Sequence, residues 1–196
     1  MSINVEITYD SADQLTYLTE ALEDKAGMHD RIAREALLFV KEFGSAKSTS
    51  EHRTATSLGA RPTGHLAKAY AGIEGKSDAS SARLLVPRAS RLRAAFGAYT
   101  LTPQNSEYLT LPVHREAYGR RAGEFQDLIA LRVGPRKSLI LAREIEGGGL
   151  ETMYFLTKSV SIPEDATLIP FEEIYEGAGD SVEAFLDDAI ARGAQV

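Results

Sequence analysis

The chain contains no cysteine, no stretch of about 18 consecutive apolar residues, and no basic opening followed by an apolar core. The first absence excludes disulfides, thiolate metal sites, iron–sulfur clusters and a cysteine nucleophile. The other two point away from a transmembrane helix and a signal peptide, since the chain begins Met1-Ser2-Ile3-Asn4-Val5-Glu6. The expectation is a soluble protein folded in a cytoplasm. Nucleotide-binding signatures are missing too: Gly59 and Gly64 are followed by His65 rather than by Lys and Ser or Thr, and Gly147-Gly148-Gly149 lies between two β-type runs. No Gly-x-Ser-x-Gly elbow occurs, and His29, His52, His65 and His114 have no partner at metal-binding spacing.

What the chain does have is ordinary globular composition: 196 residues, 43% hydrophobic and 26% charged, suited to one domain. Its net charge of −6 is the remainder of a strongly uneven pattern. Residues 1–51 carry 5 basic and 10 acidic side chains, residues 52–143 carry 15 and 6, and residues 144–196 carry 2 and 12. A basic middle between acidic ends suits a nucleic-acid surface or a subunit that assembles through unlike charges, or the acidic tail folds over the middle of its own chain.

Periodicity supplies the elements. Ile3, Val5, Ile7 and Tyr9 alternate with polar residues, as in a half-buried strand. Ser11 and Gln14 have capping-box spacing ahead of Leu15, Leu18 and Leu22, in a helix expected to end at Gly27. Met28, Ile32, Ala36, Phe39, Val40 and Phe43 form the stripe of a longer helix, the candidate core helix. Residues 44–64, rich in Ser, Thr, Ala and Gly, read as a long loop, mobile or ordered only on assembly. A short helix follows Thr63, and residues 75–81 separate it from Leu84-Leu85-Val86.

Residues 82–163 are mainly of β type: 99–102 joined to 108–111 by a turn, a hairpin over 129–142 turning at Gly134-Pro135, and a run from Met153 to Ile162. Consecutive strands with short turns predict an antiparallel meander packed on the long helix, an α+β fold. The acidic segment 164–196 is expected to be helical, with Glu172 and Glu173 at a helix start after Pro170, Ser181 as a cap, and Asp187 and Asp188 on a solvated face.

His114-Arg115-Glu116 places a base, a guanidinium and an acid together, yet consecutive residues point in different directions, so the triplet is not a catalytic geometry. No catalytic, cofactor-binding or metal-binding residue is assigned. The arginines of the basic middle, with Tyr99, Tyr108 and Tyr118, suit phosphates and stacked bases, but equally suit protein interfaces. The candidate subunit-interface residues are Arg88, Arg91, Arg93, Arg120 and Arg121 on the basic side and Glu172, Glu173, Asp187 and Asp188 on the acidic side.

Two stretches carry a family likeness: Leu109-Thr110-Leu111-Pro112-Val113-His114 with Ala117-Tyr118-Gly119-Arg120-Arg121, and the β run closing in Lys158-Ser159-Val160-Ser161-Ile162-Pro163. With the order of elements around them, they resemble the phage virion morphogenesis family, the tail-completion or neck proteins of tailed bacteriophages and prophages. Many members continue from Ile-Pro into Ala-Arg-Pro-Phe, where this chain has Glu164-Asp165-Ala166-Thr167. The resemblance implies a non-enzymatic structural subunit without cofactor, made in the host cytoplasm and built into the virion. It implies a ring of copies, sixfold by that likeness, at the head-proximal end of the tail. Its neighbours would be other neck or head-completion proteins and the tail tube, with passive contact with passing DNA and none with a membrane. A tail terminator or another neck ring is the nearest alternative, and a nucleic-acid-binding module using residues 83–143 is the alternative of another class.

Overall fold

The computed structural model describes residues 12–50, 53–88, 90–135 and 137–194. The expected strand at residues 3–9 lies outside the described residues. The fold is α+β, as the periodicity predicts, and two compact units are woven from separated segments. Among the described residues, the first unit comprises 12–47, 66–88, 90–95 and 166–194, and the second comprises 48–50, 53–65, 96–135 and 137–165. No helix among them is long and apolar enough to cross a membrane.

In the first unit, α1 (Ala12–Glu23) and α2 (Lys25–Ser50) are separated at Asp24 rather than at Gly27. The Asp24 carboxylate accepts the Gly27 N–H at 2.9 Å, so the glycine sits in the capped first turn of α2 instead of ending α1. The C-terminal helix α5 (Phe171–Gly193) begins right after Pro170, with Glu172 and Glu173 in its first turn, where the helix dipole favours acids. Ser181, expected as a cap, is in mid-helix and 1% exposed.

Leu18 and Ala21 of α1 pack with Leu186 and Ala189 of α5, flanked by Val182, Phe185 and Ile190. At the far end Gly193 meets the backbone of Gln14, where a Cβ would stand 2.6 Å from its Cα, so the helices run antiparallel in close contact. The first unit also holds a hairpin of β1 (Glu74–Asp78) and β2 (Ser81–Leu85). Residues 75–81, read as a separator, are therefore largely strand: Gly75 lies against Ala33 and Leu37 of α2, and Asp78 accepts the Ser80 N–H in the turn.

The predicted loop 44–64 is half helix. α2 continues to Ser50, α3 covers Arg53–Ser57, and α4 covers His65–Ala71. Gly44 opens the stretch read as a loop, yet it lies within α2 and is a packing device. A Cβ there would stand 2.1 Å from Cγ of Tyr70, a side chain 2% exposed that lies edge-on to Phe43 and donates its hydroxyl to the Leu168 carbonyl. Past Gly44 the helix is tied by Lys47, which donates to the carbonyl of Thr167. Weak helix formers are thus held by tertiary contacts that composition does not record.

The second unit contains a four-stranded antiparallel sheet in the order β4 (Leu109–Pro112), β7 (Gly149–Thr157), β6 (Ser138–Ile145), β5 (Ile129–Val133). The expected meander holds for β5, β6 and β7, the last two joined at Gly147-Gly148, both with positive φ. β4 returns beside β7, which makes the connectivity a Greek key. β3 (Tyr99–Leu101) does not pair with β4 as its turn-rich connection suggests; it pairs with β8 (Val160–Ile162) in a separate two-stranded sheet. The run 153–162 is broken where the Ser159 N–H donates to Thr157 Oγ1 and that hydroxyl donates to the Ser159 carbonyl. Ala117, Met153 and Tyr154 are fully buried, with Ala122, Phe125, Leu128 and Leu141 around them. The segment between β4 and β5 therefore supplies the filling for one face of its own sheet.

Candidate functional site

The fold rearranges the charge pattern. Residues Lys68 to Arg93 of the basic middle join the first unit with the acidic tail; Arg115 to Arg143 belong to the second. Among the described residues the first unit carries 12 basic and 16 acidic side chains and the second 9 and 9. No unit inherits the strong positive charge of the middle segment.

In the second unit, Arg143 on β6 and Glu151 on β7 are cross-strand partners, a register that turns both side chains to one face. The guanidinium reaches Glu151 at 2.6 Å and Glu116 at 2.7 Å. His114 joins through Nε2, 3.2 Å from Glu151, while its Nδ1 accepts the N–H of Glu116, an arrangement that places the ring proton on Nε2. His114 and Glu116, two residues apart, thus converge on the Arg143–Glu151 ion pair, while Arg115 between them is exposed. The Arg143 guanidinium holds the Glu116 carboxyl below its ordinary range. With its fork engaged by two carboxylates, Arg143 clamps the β4–β5 connection to the sheet. Nearby Tyr154, 1% exposed, donates to the carbonyl of Arg120 at 3.1 Å, and burial pushes its phenol up.

In the first unit, α2 and α5 are joined by a part-buried polar network. Ser181 donates to Glu35, Arg31 reaches Glu35 at 3.0 Å, and Arg31 also pairs with Asp188. The Ser181 hydroxyl and then Arg31 pull the Glu35 carboxyl below its ordinary value, against the opposing effect of burial. Beside this network runs an open groove of about 550 Å³ lined by Gly27, Arg31, Arg34, Phe185, Asp188, Ala191 and Arg192. Arg34 pairs with its helical neighbour Asp30, both about two-thirds exposed, and Arg192 donates its Nε to the carbonyl of Asp188. The result is an arginine-lined cleft with one aromatic wall, suited to carboxylates beside an apolar group.

The predicted interface residues separate accordingly. Arg88, Arg91 and Arg93 are exposed on and before a 3-10 turn, Arg91–Phe96, that buries Leu92, Ala94 and Ala95. Arg120 lies over the Phe125 ring at 4.1 Å and pairs with Glu124; Arg121 is exposed and gives its backbone N–H to Glu124. Glu172, Glu173 and Asp187 are exposed on α5, and Asp188 meets Arg31. Sequence reasoning missed Arg31, Arg34, Arg192, Glu35 and Arg143. The i,i+4 pairs Asp30–Arg34 and Arg31–Glu35 are visible in the sequence as decoration of the face opposite the apolar stripe; only the approach of α5 turns Arg31 into an interhelical link. Among the described residues no three His, Asp or Glu side chains gather as metal ligands. Compared with known protein families, curated proteins and solved structures, the chain matches none.

Proposed function

We propose that this chain is a structural subunit of a tailed-phage or prophage virion, forming a ring at the head-proximal end of the tail and taking part in tail completion and head–tail joining. The observation that supports the reading is that the first of the stretches on which the family likeness rests meets the β run that leads into the second. Residues 109–112 pair with 154–157 in register, from Leu109 with Thr157 to Pro112 with Tyr154, and Tyr154 bonds the carbonyls of the 117–121 segment. Segments more than 30 residues apart in sequence (Ala117 and Tyr154 are 37 apart) therefore pack together, while the close of the run, Val160–Ile162, pairs with Tyr99–Leu101. The charged, arginine-rich surfaces suit assembly with copies of the chain and with neighbouring virion proteins.

Electron microscopy supplies the test. The purified protein is expected to form closed rings, and particles assembled without it to appear as separate heads and tails. A protein that stays monomeric at high concentration, together with intact particles in its absence, would refute the proposal.

A further inference from the structure

We infer that neighbouring copies join head to tail, the outer face of the first half of α5 in one copy seating in the arginine groove between α2 and α5 of the next. The contact rests on the ring-subunit reading and gives it an interface. On α5, Glu172, Tyr175, Glu176 and Gly179 recur at i, i+3, i+4 and i+7 and so share one stripe. Tyr175 is 60% exposed, a large aromatic side chain flanked by two exposed carboxylates. No Lys or Arg occurs between Lys158 and Arg192, so this acidic stripe has no cation on its own helix until the last turn.

Gly179 is the second, independent observation. Glycine in a helix interior costs stability relative to alanine, and a Cβ at Gly179 would meet nothing within 4 Å. No packing among the described residues asks for this glycine, in contrast to Gly44 and Gly193. A bare backbone on the Tyr175 stripe instead lets an outside surface approach closely.

The groove offers what that stripe requires: Arg34 and Arg192 for carboxylates, since Arg31 is already held by Glu35 and the lining Asp188, and Phe185 as a wall for an aromatic ring. From Tyr175 to Asp188 along the helix is about 20 Å. Knob and groove are therefore different places on one chain, as a heterologous contact that closes into a ring demands.

The test uses the full chain, with mass by light scattering at low salt and thermal unfolding to verify folding. Wild type is expected to assemble beyond a dimer. R34E/R192E and E172K/E176K are each expected to fall to monomer mass while folded, and their equimolar mixture to regain assembly, because reversed groove then meets reversed knob. G179A is expected to raise the melting temperature yet weaken assembly at least tenfold, a combination that a folding defect cannot produce. Wild type that stays monomeric overturns the ring reading itself. Wild type that assembles while both charge variants and G179A assemble equally well overturns this contact alone, and wild type that stops at a dimer overturns its head-to-tail arrangement.

Discussion

Replacing Gly44 by alanine tests the packing of the first unit most sharply, because two well-understood effects oppose each other there. In an exposed helix interior Gly→Ala stabilises by about 1 kcal/mol. Here the new methyl would stand 2.1 Å from Tyr70 Cγ and 2.5 Å from its Cδ1, within a ring that is 2% exposed, so the ring or the helix must move. Overpacking of this kind costs about 1–3 kcal/mol, and losing the bond from the Tyr70 hydroxyl to the Leu168 carbonyl adds about 1–3 kcal/mol if the ring is displaced. The net expectation is a destabilisation of up to about 2 kcal/mol if the ring keeps its bond and about 1–5 kcal/mol if it is displaced, with roughly 2–4 °C of melting temperature for each kcal/mol in a chain of this size. Circular dichroism at the helical band, followed through heat and urea, reads it. In a Tyr70→Ala background, itself expected to cost about 3–5 kcal/mol, the obstacle is gone and G44A is expected to become neutral or stabilising. If G44A stabilises the wild-type chain, Gly44 is not held small by Tyr70 and the packing argument fails.

Acid sensitivity follows from two carboxylates. The Ser80 hydroxyl and N–H, with Arg83 nearby, pull Asp78 from 3.8 down to about 2, and Glu35 is lowered from 4.5 mainly by Ser181. Both are depressed in the folded state, so their contributions are complete above their unfolded values and fade as pH falls through the folded ones. Protection of the β1–β2 hairpin amides, taken relative to their intrinsic exchange rate at each pH, should therefore fall between about pH 4 and 2, and D78N should remove that dependence; an unchanged profile in D78N would count against it. For the sheet, a double-mutant cycle on Arg143 and Glu151 should give a larger coupling than one on the exposed pair Arg120 and Glu124, and equal couplings would contradict the clamp.

The elements read most accurately are those whose signal is local. The hairpin over 129–142 is specified by alternation and a Gly-Pro turn, the Gly147-Gly148 turn by its need for positive φ, and the start of α5 by Pro170 followed by two acids. The misread segments depend on distant partners. Residues 45–50 have loop-like composition, yet they continue α2, with Tyr70 packed on Gly44 just before them and the Thr167 carbonyl holding Lys47. Ser181 has the chemistry of a cap, yet its hydroxyl is used across helices by Glu35. The two β runs at 99–102 and 108–111 have hairpin spacing, but each finds a better partner far along the chain, in β8 and β7.

By itself the sequence determined the absence of thiol chemistry, the α+β class, the strong local turns and helix starts, and the total charge, because composition and short-range periodicity fix these. Only the tertiary structure decided where the charges act. Long-range folding distributes the basic middle between a unit that is mildly acidic and one that is balanced, and turns Arg31 and Arg143 from surface residues into links between elements. Coulomb interactions depend on distance in space rather than on distance along the chain, so a charge pattern read by segment acquires its meaning only when the segments are brought together.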